Sequence, residues 1–432
     1  MAYGKGTFTG QNKVLPGMYV NVKGDAEIDS AVGNRGKVAV ALNLDWGNDT
    51  GEIFKVTAKD FYTKCKAIFG YDFGDAKMLT MREIFRGASE VYVYRLNTTD
   101  AVKATASTFA NAKYAGVRGN DIKVTVSNSV DATGSFDVVT MLDGIVVDRQ
   151  TGVTKDTIKD NDFVTFLKGT GFSLTAGTKD FSGGANGVDG TTTQHTTFLT
   201  ELEAYQVNVV GCVYAVDGLG DIYASWAKNQ REMFANGIQA VLYNQAADNK
   251  SVINVDDSIA LVPWVMGKSA GCPLNASLQN TIYDGEVTPT KTYTQADLEV
   301  AIQSGKFVLH RVGDSFRVLA DINSLITPTG DETEDFKLNQ TIRVIDQINI
   351  DACEIWNDNF LGKVPNNESG RLSFWSAVIG LLNEYRAIGA IDEYDKDMVT
   401  VAEGTQRGSV VMQIPVTVAT MLEKAYVTIV VQ

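Results

Sequence analysis

Arg317-Val-Leu-Ala-Asp-Ile-Asn-Ser-Leu325 reads as an alternating strand followed by a turn, and it leads into two helical patterns that break at Gly362 and Pro365. Leu338, Ile342, Ile345, Ile348, Ala352 and Ile355 recur at spacings of three and four, which predicts a helix over 338–361 with one apolar stripe. Leu372, Trp375, Val378, Leu382 and Tyr385 do the same before Gly389, predicting a second helix over 371–389. Both stripes read as packing faces within a domain. The chain then ends on Tyr426-Val-Thr-Ile-Val-Val-Gln432, a β-rich run with no turn to fold it back into a hairpin. Such a strand needs a partner from elsewhere.

Upstream, residues 1–13 are rich in Gly, Thr and Asn, Val14-Leu-Pro-Gly17 punctuates the chain, and Met18-Tyr-Val-Asn-Val-Lys23 reads as a short strand. Both ends therefore carry an extended arm. Between 24 and 97 an α/β pattern begins: a buried strand Lys37–Asn43, a strand at 53–57, helical stretches at 60–69 and 76–86, and the strand Glu90–Arg95. From 98 to 180 the composition shifts to Thr, Val, Asp and Gly, with period-two alternation in Asp121–Val126 and Phe136–Met141 and turn signals at Asp143-Gly144 and Thr151-Gly152. This predicts a small β-sandwich-like insertion, closed by a flexible junction at Ser182–Gly187. The α/β pattern resumes over 181–315 with a helix at 194–205, the strand Val207–Tyr214, a helix at 221–236, and strands Gln239–Tyr243 and Ser258–Trp264. Helix-strand alternation implies a mostly parallel sheet covered by helices. Residues 316–424 then form an α+β domain and 425–432 the terminal arm.

The chain has 432 residues, 44% of them apolar, enough for several domains and a large core. Its net charge of −14 argues against nucleic acid as a direct partner, because phosphate binding wants a basic surface. Cys65, Cys212, Cys272 and Cys353 show no paired spacing, so they read as small buried hydrophobes in a reducing cytoplasm. The amino terminus lacks an apolar core of signal-peptide type, and no apolar run nears the roughly 18 residues that span a bilayer. A soluble protein made and kept inside a cell is expected, with no membrane insertion.

No catalytic, cofactor-binding or metal-binding constellation stands out. Gly267-Lys268-Ser269 resembles the end of a phosphate loop, but Val262 occupies the position where that loop needs a glycine. The chain has two histidines. His195 reads as a polar helix-start residue and His310 as a strand-end residue, neither beside a nucleophile signature. The acidic run Asp331–Asp335 lacks calcium-loop spacing and reads as a helix cap. The remaining alternative is a cytoplasmic α/β enzyme or ligand-binding protein with a β insertion.

The order of Leu319-Ala-Asp-Ile-Asn-Ser-Leu325, Thr341-Ile-Arg-Val-Ile-Asp346, Gly362-Lys-Val-Pro-Asn-Asn367 and Ala419-Thr-Met-Leu-Glu-Lys-Ala-Tyr-Val-Thr-Ile429 resembles the carboxyl-terminal domain of contractile-tail sheath proteins, found in long-tailed phages, phage-like bacteriocins and related injection machines. The likeness extends over most of the chain. It implies a subtilisin-like α/β core without the protease's catalytic residues, and a β insertion that projects outward and is expendable. It also implies a homo-oligomer of stacked hexameric rings forming a helical sheath around an inner tail tube, with baseplate and tail terminator proteins as further partners. Such a particle is a virion tail or tail-like device assembled in the bacterial host cytoplasm, and its sheath contracts from a metastable extended state. The arms, through Met18, Tyr19, Val20 and Val22 at one end and Tyr426, Val427, Ile429 and Val431 at the other, are expected to pair with neighbouring subunits. Sheath proteins rest a helix of this last domain on the tube, which makes the basic residues Lys337, Arg343, Lys363 and Arg371, read as lying on outer faces, candidates for that contact.

Overall fold

The computed structural model describes residues 5–6, 18–19, 35–169, 172–330 and 332–431. In chain order it begins with β1 (Lys37–Leu42), β2 (Phe54–Thr57), α1 (Ala58–Phe69), α2 (Leu79–Ile84) and β3 (Glu90–Arg95). An insertion follows, made of β4 (Lys103–Ala106), β5 (Ala110–Ala115), β6 (Ile122–Asn128), β7 (Phe136–Leu142), β8 (Ile145–Val153), β9 (Val164–Phe166) and β10 (Gly177–Asp180). The core then resumes with α3 (Thr192–Leu202), β11 (Val209–Gly211), α4 (Leu219–Phe234), β12 (Gln239–Tyr243), β13 (Val252–Val255), α5 (Val262–Gly271), α6 (Gln295–Gln303) and β14 (Lys306–Phe307). A hairpin of β15 (Leu309–Val312) and β16 (Ser315–Val318) leads to α7 (Asn339–Ile355), α8 (Glu368–Ala387), and a second hairpin, β17 (Thr400–Glu403) with β18 (Val410–Gln413).

The core is a seven-stranded sheet in the order β14-β13-β12-β11-β1-β3-β2, parallel except for the antiparallel edge strand β2. Strand alternation divides its side chains between two layers. Val38, Val40, Val209, Val241 and Ile253 face α1, α2 and α5, while Ala39, Ala41, Val210, Ala240 and Leu242 face α3 and α4. Being buried on both faces is why these strands read as unbroken apolar runs. Helix α1 shows how local signals fit this layer. Thr57 caps its amino end by accepting from the Asp60 N–H at 3.1 Å, Phe61, Cys65 and Phe69 recur every four residues on the buried face, and Gly70 stops it with φ of 79°.

The expected strand Ser258–Trp264 is instead a turn of 3-10 helix, Ile259–Leu261, continuing into α5. Pro263 lies in the first turn of α5, and the next seven residues except Lys268 are buried up to Ala270. A helix enclosed on all sides carries no 3.6-residue stripe, so its apolar run imitates a strand. Val252–Val255 is the sheet strand that neighbours β12. Thr151-Gly152 is not a turn either: Gly152, at φ of 62°, sits in a register shift within β8.

The insertion is two sheets, β8-β7-β6-β10 and β9-β5-β4, closed around their own apolar core. The core domain lends Trp46, whose indole stacks 6.2 Å from Phe163 and meets Tyr114 edge-on at 5.4 Å. Arg95 donates to the carbonyls of Gly47 and Ala115, and Arg118 to that of Gly70, so buried guanidinium groups tie the insertion down. Ser182–Gly187 is likewise packed, with bridges pairing Ser182 to Thr105 and Ala185 to Val102, rather than a loose junction.

Helix α7 departs from its single-stripe reading. Besides Ile342, Val344 and Ile348, its polar residues Asn339, Gln340, Arg343, Asp346, Gln347 and Asp351 are buried, because α7 is wedged between the core and α8. It runs on into a π-helical turn, Trp356–Phe360. Three cysteines are buried as expected, but Cys353 is exposed on α7. Among the described residues no helix is long and apolar enough to cross a membrane.

Candidate functional site

An α/β sheet binds ligands beyond the carboxyl ends of its strands, where the strand order reverses. Here that point lies between β1 and β11, and polar side chains fill it. The Asn43 N–H donates to the Tyr214 hydroxyl at 2.7 Å, and the Asn43 side chain accepts from the Gly190 N–H at 3.0 Å. Asn97 brackets Leu44 with two hydrogen bonds, and Asn186 donates to Asp45 at 2.8 Å. Gly187 and Gly190 lie so close to the Asn97 carbonyl and the Leu96 side chain that neither position has room for a Cβ.

His195 is not at the surface as read from sequence. It is 2% exposed, its Nδ1 lies 2.8 Å from the Tyr223 hydroxyl, and the Tyr214 ring packs against it. Burial pushes its pKa down to about 4. The unfolded chain therefore binds a proton that the folded one refuses between pH 6.5 and about 4, so stability is full above that window and is lost as pH falls through it. The loss is expected to reach about 3 kcal/mol. Urea melts at pH 7, 5.5 and 4 should show this slope, and His195→Gln should flatten it.

The carboxyl-terminal domain is bound to the core by a polar seam along α7. Arg343, fully buried, donates to Asp321 at 2.6 Å and to the Ala276 carbonyl at 3.2 Å. Burial alone raises the Asp321 pKa, but the Arg343 charge and hydrogen bonds from Leu278 and Asn339 outweigh it, and the carboxyl stays below its ordinary range. Arg231 on α4 forks onto Asp346, Gln239 donates to Asn339 at 3.0 Å, and Lys250 meets Glu332 at 2.7 Å. Of the acidic run expected to cap a helix, Glu334 and Asp335 lie in the first turn of the 3-10 helix Glu334–Lys337, Glu332 instead serves an ion pair across the seam, and Asp331 lies outside the described residues.

These contacts redistribute the four basic residues expected on outer faces. Arg343 is withdrawn from that group because it is inside the seam. Lys337 is half-buried and paired with Glu334 at 2.7 Å, and Arg371 bonds Asn366 and Glu403. Lys363 stays exposed in the α7–α8 turn, donating to the Asp358 carbonyl. They do not form one patch.

The terminal arm is placed differently from everything around it. Ile414, Val416 and Val418 lay one side of the chain against the domain, and the Ala419 carbonyl accepts from Gln340 at 2.9 Å. Beyond Ala419 every described residue is exposed, with Tyr426 at 92%, Val427 at 80%, Ile429 at 85% and Val431 at 90%, and none pairs into a strand. Beside the departure point lies a groove of about 460 Å³ lined by Phe336, Ile345, Ile348, Ile414, Val416 and Val418. At the other end, Met18–Tyr19 pairs in parallel with Lys5–Gly6, while Val20 and Val22 lie outside the described residues. The sequence reading missed the β17–β18 hairpin, although Gly404 and Gly408 between short β-branched runs signal it. It stands alone as a two-stranded sheet among the described residues.

Four family models match successive parts of the chain: the tail sheath protein Gp18 domain III N-terminal region at 35–96, the phage tail sheath protein beta-sandwich domain at 97–186, its central domain at 189–324, and the phage tail sheath C-terminal domain at 331–432. The phage-like element PBSX protein XkdK of Bacillus subtilis is 28% identical, with 98% of each chain covered. The crystal structure of a sheath tail protein from Desulfitobacterium hafniense superposes with a TM-score of 0.75 at 28% identity, over 92% of this chain and 99% of that one. The helical sheath of the anti-feeding prophage in its contracted state shares the fold at 11% identity, with a TM-score of 0.56 over 97% and 99% of the two chains. The chain belongs to the contractile tail sheath proteins, and its role is that of a structural subunit in a phage tail or tail-like particle.

Proposed function

We propose that this sheath subunit is linked to its neighbours by exchanged strands, in hexameric rings stacked helically around an inner tail tube, and that the sheath contracts from a metastable extended state to drive the tube through a target envelope. The carrying observation is the arm beyond Ala419, which exposes Tyr426, Val427, Ile429, Val430 and Val431 in one run. Exposed apolar surface this continuous marks a contact waiting to be made. Burying each such side chain contributes about 1.5 to 3 kcal/mol, and each backbone hydrogen bond formed across the contact about 0.5 to 1.5 kcal/mol. An arm leaving one copy for a receptor on another makes a head-to-tail contact, whose repetition gives rings or helices. The open edges of the β17–β18 hairpin and the apolar groove beside Ile414 and Val416 are fitted to receive it.

The strand order and the helices on both faces support a subtilisin-like reading of the core. Lys337, Lys363 and Arg371 remain the residues proposed for tube contact, and baseplate and tail terminator proteins the partners at the two ends, with assembly in the bacterial host cytoplasm. The trigger acts on subunit interfaces, since an extended trap needs poorer contacts than the contracted state. The test is removal of the arms. Deleting residues 1–22, or Ile429→Asp, should leave a folded soluble core that forms no tubes by electron microscopy. Long tubes from the truncated chain would refute the linkage.

A further inference from the structure

Two arginines bring more donors into the seam than the protein supplies acceptors. Arg343 on α7 is fully buried, and its Nη2 donates to Asp321 and to the Ala276 carbonyl, while its Nε and Nη1 are sealed from solvent without a partner. Arg35, two residues before β1, has its Nε and Nη1 sealed and unpartnered as well. Its root is held in place, because the Gly36 N–H donates to the Asn208 side chain at 3.0 Å and the Gly36 carbonyl accepts from the Ser89 N–H at 2.9 Å. The two cations lie within electrostatic reach of each other. Burial first, and then the Arg343 charge, bring the Arg35 pKa down to about 10, and both guanidinium groups act on the Cys272 thiol just after α5.

The carboxylates of the seam are committed elsewhere. Asp321 takes Arg343, Asn339 and the Leu278 N–H, Asp346 is forked by Arg231, and Asp351 accepts from Gln347 at 2.7 Å and from the Tyr385 hydroxyl at 2.6 Å. The Gln347 Oε1 is buried and unpartnered, but it is one neutral acceptor against four donor nitrogens. A guanidinium keeps its proton at neutral pH, so these donors cannot be relieved by deprotonation. Buried charged donors without acceptors are strongly unfavourable, and native proteins meet that need with an ordered water or an ion. Water supplies lone pairs and no charge, whereas an anion answers both the bare donors and the repulsion between the two cations. We infer that the seam binds a small monovalent anion of the chloride or bromide class between the Arg35 and Arg343 guanidinium groups. Sealed nitrogens select an ion that sheds its water readily, which fluoride and sulfate do not. The anion fastens the start of the core at Arg35 to α7, beside the segment that follows α5. The assignment is independent of strand exchange.

The test melts the full chain at pH 7 and constant ionic strength, followed by circular dichroism, with sodium gluconate replaced stepwise by sodium bromide, chloride or fluoride. Bromide and chloride should raise the melting temperature by about 2 °C and saturate, and fluoride should leave it unchanged. Arg35→Met removes one of the two cations and should abolish the bromide response, whereas Lys123→Ala on the β insertion should keep it. Crystals of the natural chain grown in sodium bromide should show an anomalous peak within hydrogen-bond distance of both guanidinium groups. Equal melting curves in bromide and gluconate, an unaltered bromide response in Arg35→Met, or no anomalous peak at the two arginines overturns the assignment. A peak without the melting response is an adventitious ion only and overturns it as well. If Arg35→Met does not fold, the natural chain decides alone, through its melting response and its bromide peak together.

Discussion

Asp321→Ala is expected to destabilise the protein by about 3 to 5 kcal/mol, the cost of leaving a buried charge without its partner. Asp321 accepts from Arg343 at 2.6 Å and Asn339 at 3.0 Å, both on α7, and from the Leu278 N–H at 2.9 Å, so one carboxylate ties its own segment to two others of the seam. Arg343 is fully buried, two of its nitrogens already lack partners, and its other acceptor is the neutral Ala276 carbonyl, so no second carboxylate takes over its charge among the described residues. Replacing both partners by apolar residues, Asp321→Leu with Arg343→Met, should cost less than the single change, because no orphaned charge remains. Urea denaturation of the two variants against the natural chain gives the comparison. Equal losses from both would mean that packing, not charge compensation, governs the site.

Gly267→Val should be at least as damaging. Helices α2 and α5 cross backbone to backbone: a Cβ at Gly267 would overlap the Ile84 carbonyl oxygen, one at Gly271 that of Gly87, and one at Gly87 that of Gly267. Overpacking typically costs about 1 to 3 kcal/mol where side chains can move aside. Here only main chain faces the new atoms, and the two helices would have to separate over the centre of the sheet. The expected result is loss of soluble protein on expression, with Gly267→Ala giving a lowered melting temperature. Lys268→Ala, next door on the partly exposed side, where the ammonium pairs with Asp284 and lies over the Trp264 ring, should express normally.

The sequence showed the sheet better than the seam. Lys37–Leu42, Glu90–Arg95 and Gln239–Tyr243 were legible because strands buried on both faces leave β-branched and small apolar runs bounded by turns. Helix α5 was not, since burial all round erases the periodicity that distinguishes a helix. Arg343 shows a different failure. The apolar stripe of α7 correctly located one buried face, but periodicity is silent on whether the polar face is solvated or pressed against a second body, and the acceptor that makes burial possible lies more than twenty residues away at Asp321. His195 was misplaced for the same reason, its partner Tyr223 being on the next helix. The terminal arm was legible because β-rich residues without a local partner are conspicuous.

The seam has a mechanical consequence. If the arm is exchanged as proposed, tension on it enters at Ala419, which is held by Gln340 on α7 and by the Ala390 carbonyl after α8. From α7 it passes through Asp346 to Arg231, through Asn339 to Gln239 at the start of β12, and through Asn349 to the Ala235 carbonyl. In that arrangement a tug on one end of the subunit would be delivered to the middle of the sheet through short polar links between described residues.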